Sequence, residues 1–301
     1  MAFDIKDKIS THLKARLQTP LIAGQHQGQV IAISARKGGV GKTTSAVNLA
    51  VAFAAAGKKT LLIDIDPQAH VATALRRDLK SSHGNLSDVL LGKKREVHEV
   101  AYATNISNLW LAGSEKHLNE TEDQLAAKIG KEMILAHALE NTRTHYDLII
   151  IDCPPNLGTL SLNALFAADF VLIPSDMSVL ALEGIGDILS AVETIRDRMH
   201  RSVEIMGVLI TRYDRRLKQI NAMVETALHE LLDTPLLDAR IPQNTDLNKA
   251  HLKGMSIFEF APRSKGALAY EAAATEILQA LGGQVDMHQK QKALSVSRAT
   301  V

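Results

Sequence analysis

Cysteine occurs once, at Cys153, in a chain of 301 residues. One thiol excludes an intrachain disulfide framework and any zinc or iron–sulfur centre ligated by several cysteines of this chain, and it fits a reducing compartment. The 12 histidines are scattered, with no H-x-x-x-H pair on a helix, so no protein-built metal site is expected. There is also little excess charge: 34 Lys and Arg stand against 33 Asp and Glu, for a formal net charge of +1. No global field calls for an acidic partner, and any nucleic-acid surface has to be a local patch. No apolar run reaches the length of about 18 residues needed for a membrane-spanning helix. The first residues, MAFDIKDKISTHLKARLQTP, carry charges throughout and lack the apolar centre of a signal peptide. Internal repeats and low-complexity blocks are absent as well.

What remains is an ordinary globular composition, 46% apolar and 22% charged, of a length that suits one large α/β domain or two small ones. Residues 1–28 stand apart. Ile5, Ile9, Leu13 and Leu17 recur every four residues among Lys6, Lys8, Lys14 and Arg16, and Pro20 and Gly24 close the segment. This is an amphipathic helix and linker, read as packing on its own domain or a second subunit rather than on a membrane or DNA. The main domain is placed at 29–283, and the polar, weakly periodic tail at 284–301 is expected to be mobile.

Within the main domain, short apolar runs alternate with helical patterns. Strands are predicted at 30–34, 59–66, 108–112, 146–152, 170–175, 203–212 and 235–241. Helices are predicted at about 42–56, 120–144, 179–200, 215–233 and 264–281. Continuous apolar strands alternating with helices imply a mostly parallel twisted sheet covered by helices on both faces, with ligands at the carboxyl ends of the strands.

One strand end carries SARKGGVGKTT, from Ser34 to Thr44. The pattern G-x-x-x-x-G-K-[ST] requires a glycine where this chain has Arg36, and the stretch adds a second lysine, Lys37. The rest has direct physical reasons. Gly38, Gly39 and Gly41, around Val40, allow backbone N–H groups to turn toward phosphate oxygens. The following helix aims its positive end at the same place. Lys42 supplies a point charge for the β- and γ-phosphates, and the Thr43 hydroxyl is placed for Mg²⁺. Acids close two further strands: Asp64 and Asp66 in LLIDIDPQ, on one face by the strand alternation, and Asp152 in YDLIIIDCPP. An acid at a strand end is often merely solvated; three beside one phosphate loop are much harder to dismiss. Cys153 is read as a small buried residue rather than a nucleophile.

Together, KGGVGKTT, LLIDIDPQ and YDLIIIDCPP resemble the motifs of the ParA/MinD ATPases, which have a deviant Walker A loop. VLIPSDMSVLALEGI (171–185), GVLITRYDRR (207–216) and the run at 241–270 are similar to the ParA partition branch. The likeness covers about residues 29–282. It implies ATP and Mg as cofactors, slow hydrolysis stimulated by a partner, and an ATP-dependent homodimer. Lys37 matches the signature lysine that reaches across the dimer to phosphates bound by the other subunit. Asp66 would orient or activate the attacking water, Asp64 and Asp152 would support Mg²⁺ through its waters, and Thr44 would contact the α-phosphate. Thr211 and Pro242 are assigned to the adenine pocket by resemblance alone. Glu183 and Gly184 are placed, by the same analogy, where a helix opens or bends near the dimer face.

A ParB-like centromere-binding protein, nonspecific DNA and a cytoplasmic, nucleoid-associated location also follow from the resemblance, with no stable membrane anchor. Arg212, Arg215, Arg216 and Lys218 are the expected DNA contacts, extended by Lys249, Lys253, Arg263 and Lys265. One departure weighs against it: the family's I-P-R-N-x-R is IPQNTD here, with Gln243 and Asp246 at the basic positions. Either DNA binding is weaker, or it has moved toward the N-terminal helix or GKKR (92–95), or the cargo is not DNA. A MinD-like membrane-associated ATPase and an ATP-dependent metabolic ligase are the alternatives. The tail lacks an amphipathic helix of the MinD kind, and the 241–270 run argues against the ligase.

Overall fold

The computed structural model describes residues 27–75, 84–115, 118–232 and 235–282. The helix expected at the N-terminus and the tail at 284–301 lie outside the described residues.

The expected strands form one sheet. In chain order they are β1 (Gln29–Ile33), β2 (Thr60–Asp64), β3 (Tyr102–Ala103), β4 (Leu109–Ala112), β5 (Leu148–Asp152), β6 (Phe170–Ser175), β7 (Glu204–Tyr213) and β8 (Leu236–Pro242). Their spatial order is β3-β4-β2-β5-β1-β6-β7-β8. All neighbours pair in parallel except β3, a two-residue edge strand antiparallel to β4. Every residue of β2, β5 and β6 is buried, as the unbroken apolar runs require of strands covered on both faces. The chain leaves β1 toward β2 on one side and returns from β5 to β6 on the other. That reversal opens a crevice at the carboxyl end of β1.

Eleven described helices flank the sheet: α1 (Lys42–Ala55), α2 (His70–Ala74), α3 (Leu86–Leu90), α4 (Leu118–Ala126), α5 (Ile134–Leu139), α6 (Thr159–Ala167), α7 (Val179–Met199), α8 (Lys218–Leu232), α9 (Thr245–Leu252), α10 (Ile257–Phe260) and α11 (Lys265–Ala280). One apolar layer joins Phe53 of α1 and Ala273 and Ile277 of α11 to Ile31, Leu62 and Leu172 of the sheet. The other joins Leu139, Leu165 and Ile188 to Val30, Ile63, Ile149 and Val171.

The long helix expected at 120–144 is instead broken. α4 ends at Ala126, and 3-10 turns at Lys131–Met133 and Thr142–Thr144 bracket α5. Gly130 has φ 68°, a left-handed conformation that ends the helical path. Asn163, on α6, then takes the backbone places that a continuous helix would use: its side chain accepts from the Leu135 N–H (3.0 Å) and donates to the Lys131 carbonyl (2.7 Å). Glu183 and Gly184 do not open a helix; both lie inside α7, past its start at Val179. A Cβ at Gly184 would stand 3.5 Å from Cβ of Arg36, so α7 passes close over the start of the phosphate loop.

Candidate nucleotide site

The glycine loop runs from β1 into α1 at the mouth of the crevice. Gly39 (φ 76°) and Gly41 (φ 88°) are left-handed, which a side chain would resist. Gly41 precedes α1 with no side-chain cap, and the first turn of α1 holds no acid, so its N–H groups and positive end have no anionic partner from that turn. Val40 is buried beneath the loop, and Thr211 ties it down by donating to the Val40 (2.7 Å) and Ser175 (3.2 Å) carbonyls. Lys42 is only 7% exposed and its ammonium donates back to the Lys37 carbonyl at 3.1 Å. Burial lowers its pKa, against the opposing pull of Asp152 and Asp66.

The three acids differ in what they touch. Asp64 is fully buried and accepts from the Asp66 N–H (3.0 Å) through Oδ1 and from the Val71 N–H (3.2 Å) through Oδ2. Its carboxylate therefore organises the backbone that carries Asp66, which lies beyond the end of β2. Asp66 accepts from the Gln68 N–H at 2.9 Å, and its carbonyl accepts from the Ser114 hydroxyl at 2.5 Å.

Asp152 is also fully buried, yet neither of its carboxylate oxygens has a hydrogen-bond partner. Burial pushes its pKa up to about 7, with Asp66 adding to the rise and the Thr43 hydroxyl and Lys42 opposing it. Thr43 approaches without the geometry of a full hydrogen bond. A buried carboxylate with both oxygens free, beside a threonine hydroxyl and a lysine, fits the water shell of a divalent cation. Cys153 is buried, and desolvation raises its thiol pKa, as expected of an inert packing residue.

Lys37 has other partners than Lys42. Its ammonium lies 2.6 Å from Asp176 Oδ2 and 3.1 Å from Ser178 Oγ. Arg36 pairs with Asp187 on α7. Asp176 and Ser178 escaped the sequence reading, although Asp176 is one more acid directly after a strand at the ligand edge of the sheet. Arg212 sits differently from the other expected DNA contacts. Its guanidinium donates to the Gly39 carbonyl (3.3 Å), and its own backbone is left-handed at φ 51°. It lines a cavity of about 210 Å³ with Thr44, Thr211, Pro242, Asn244 and Tyr270. That cavity brings Thr211 and Pro242 together beside the phosphate loop.

Arg215, Arg216 and Lys218 are exposed at the start of α8. Arg216 is clamped by Asp214 through contacts of 2.6 and 2.9 Å, and its hydrogen bonds hold the Asp214 carboxyl down to about 2. Lys249 lies 3.4 Å from Asp246, and Lys253, Arg263 and Lys265 are exposed. In the 92–95 run, Lys93 pairs with Asp88 (3.2 Å) and Lys94 with Glu99 (3.8 Å).

Comparison with known proteins shows the family. An AAA domain family model matches residues 28–205. The sporulation initiation inhibitor protein Soj of Bacillus subtilis is 37% identical over 250 residues, 83% of this chain and 98% of Soj. The chain belongs to the ParA/MinD family of ATPases. The chromosome partitioning protein ParA of Myxococcus xanthus is 34% identical over 252 residues, 84% of this chain and 88% of that protein. Among solved structures, cobyrinic acid a,c-diamide synthase from Mycobacterium smegmatis with bound ADP and magnesium superposes with a TM-score of 0.72 at 29% identity, covering 84% of this chain and 94% of that one. The septum site-determining protein MinD of Pyrococcus horikoshii, complexed with Mg-ADP, gives 0.67 at 26% identity, covering 83% and 96%. The family fold is that of a nucleotide-binding ATPase, and no described helix is long and apolar enough to cross a membrane.

Proposed function

We propose that this protein is an ATP-dependent switch of the partition branch, pairing with a second copy when ATP is bound and releasing it after hydrolysis. The observation that carries the reading is the separation of two lysines on one loop. Lys42 is buried against the loop, whereas Lys37 lies 38% exposed with its ammonium turned to a different element. Lys42, the loop amides of Gly38, Gly39, Val40 and Gly41, and the N–H groups of Thr43 and Thr44 would hold the phosphates of one ATP. Lys37 would reach phosphates bound by the second copy. A triphosphate left under-compensated by one chain would then favour pairing by mass action.

Magnesium, held by Thr43 and through water by Asp152, would neutralise charge on the β- and γ-phosphates. Asp66 orients the attacking water, and Asp64 keeps Asp66 in place. Thr211, Pro242 and Tyr270 border the base and sugar. Paired chains would bind DNA without sequence preference chiefly through Arg215 and Lys218, with Arg216 partly neutralised by Asp214, in the cytoplasm on the nucleoid. A ParB-like protein bound to the cargo would stimulate turnover. The 37% identity to Soj and the 34% identity to ParA support the partition branch. The likeness to a diamide synthase at 29% identity favours one rival, an ATP-dependent ligase, in which Lys37 faces a small acid in its own chain.

Light scattering with and without a nonhydrolysable ATP analogue separates the two. The switch doubles its mass with the analogue, and Lys37→Ala stays monomeric while retaining nucleotide. An unchanged mass in the parent protein rejects the switch.

A further inference from the structure

Lys37, on the phosphate loop, and Arg212, on β7, both lie near one carboxylate, that of Asp176, which binds Lys37 and feels the charge of Arg212. Asp176 follows β6 directly, at the ligand edge of the sheet. Its Oδ2 lies 2.6 Å from the Lys37 ammonium, and its Oδ1 accepts from the Ser178 hydroxyl at 2.7 Å. Ser178 Oγ in turn accepts from Lys37 at 3.1 Å, closing a three-membered cluster. The Ser178 N–H also donates to the Asp176 carbonyl (3.0 Å), which fixes the turn that presents both side chains. The Asp176 side chain is 19% exposed, so the pair is partly shielded from water. Burial pushes the Asp176 carboxyl up, but the bonds from Lys37 and Ser178 and the charges of Lys37 and Arg212 outweigh it, leaving it below its ordinary range. The neighbouring Arg36–Asp187 pair fastens the same loop to α7.

We propose that Asp176, positioned by Ser178, is a stand-in anion: it holds Lys37 within its own chain until a bound triphosphate displaces it, and so sets the nucleotide level at which two copies pair. This rests on the pairing read above. The physical reason is competition for one ammonium. Lys37 engaged at 2.6 Å by a carboxylate of its own chain is drawn back from any phosphate across an interface, and the two anions repel if brought to it together. A partly exposed ion pair exerts a modest hold. The latch is therefore weak enough for a triphosphate to open and strong enough to disfavour pairing without one.

The test uses the full chain and two variants, Asp176→Asn and Ser178→Ala. The first readout needs no nucleotide and no pairing: the rate at which acetic anhydride acylates Lys37, read by mass spectrometry against exposed Lys59. Asp176→Asn is expected to raise the relative rate about two- to tenfold, in the range of a partly exposed ion pair, and Ser178→Ala to raise it less. The second readout is the concentration of AMPPNP that half-saturates pairing in sedimentation velocity, expected to fall by a similar factor in Asp176→Asn. An unchanged Lys37 rate overturns the latch whatever the pairing does. A raised rate with pairing at the same or a higher AMPPNP concentration overturns its control of pairing. If the parent chain never pairs, the switch reading fails by itself, and the acylation rates still decide whether Asp176 holds Lys37.

Discussion

Asp64 and Asp152 stand in register at the carboxyl ends of neighbouring strands β2 and β5, both fully buried. Two carboxylates so placed cannot both ionise cheaply. Burial raises Asp64, with Asp152 adding to the rise, and burial raises Asp152 to about 7. The arrangement is costly for the nucleotide-free chain and useful once a cation arrives, which makes it a site where stability is traded for binding.

The cost has a sign that can be measured. A carboxyl whose folded pKa is about 7, against an ordinary 3.8, binds more protons in the folded chain than in the unfolded one between those values. Stability therefore falls as pH rises through that window and is recovered below it. Asp152→Asn removes the titrating group. In EDTA without nucleotide, urea unfolding is expected to show the variant more stable than the parent by about 1–4 kcal/mol at pH 7.5. The advantage should shrink toward pH 5. A variant less stable than the parent at pH 7.5 would mean that the carboxylate is not strained. Magnesium-dependent nucleotide binding should be lost in the same variant.

Lys42 is the cation that the loop has already enclosed. It is 7% exposed, and its single hydrogen bond among the described residues goes to a loop carbonyl. Lys42→Ala is expected to weaken ATP binding at least about 100-fold in calorimetric titration, as loss of a desolvated, charge-assisted phosphate contact requires. Affinity within about threefold of the parent would place the phosphates elsewhere.

The strands and the phosphate loop were legible because each is local: unbroken apolar runs mark strands covered on both faces, and glycines mark a turn that only they enter readily. The break at Gly130 was not, because it depends on Asn163 arriving from α6 to take two backbone groups. The same reason hid Asp176, whose meaning comes from a lysine 139 positions away. Asp64 read as a metal-side acid from its place at a strand end; that its oxygens also accept from the backbone amides of Asp66 and of Val71 on α2 was not legible there. Arg212 read as one of four basic residues within 212–218; its left-handed backbone, invisible in the residue types, accompanies a guanidinium placed on the phosphate loop.

Asp66 allows a clean separation of binding from chemistry. Its backbone N–H, not its side chain, anchors the loop to Asp64. Asp66→Ala therefore keeps that anchor and loses the bond to the Gln68 N–H, a cost of about 1 kcal/mol. The variant should bind ATP and pair like the parent, with turnover reduced about 100-fold or more. Phosphate release at the parental rate would remove Asp66 from the hydrolytic step.

The exposed cations near α8 are not equivalent, and this gives DNA binding its sharpest test. Arg216 is held by Asp214 in a two-pronged pair whose carboxyl stays ionised down to about pH 2, so its charge is largely spent within the chain. Arg215 and Lys218 are exposed and make no ion pair among the described residues. Phosphate contacts announce themselves through salt: each one adds about 0.9 to the slope of log affinity against log salt. The double variant Arg215→Gln with Lys218→Gln should therefore flatten that slope by about 1.8 for the ATP-bound protein on random-sequence duplex. Arg216→Gln alone should change it less than either half of that. Asp214→Asn, which frees Arg216 while adding no charge of its own, should steepen the slope and tighten binding at low salt. If the double variant keeps the parental slope, the DNA surface lies elsewhere. If Arg216→Gln is instead the most damaging, Arg216 leaves Asp214 for a phosphate, and the pair serves as a reserve rather than a sink.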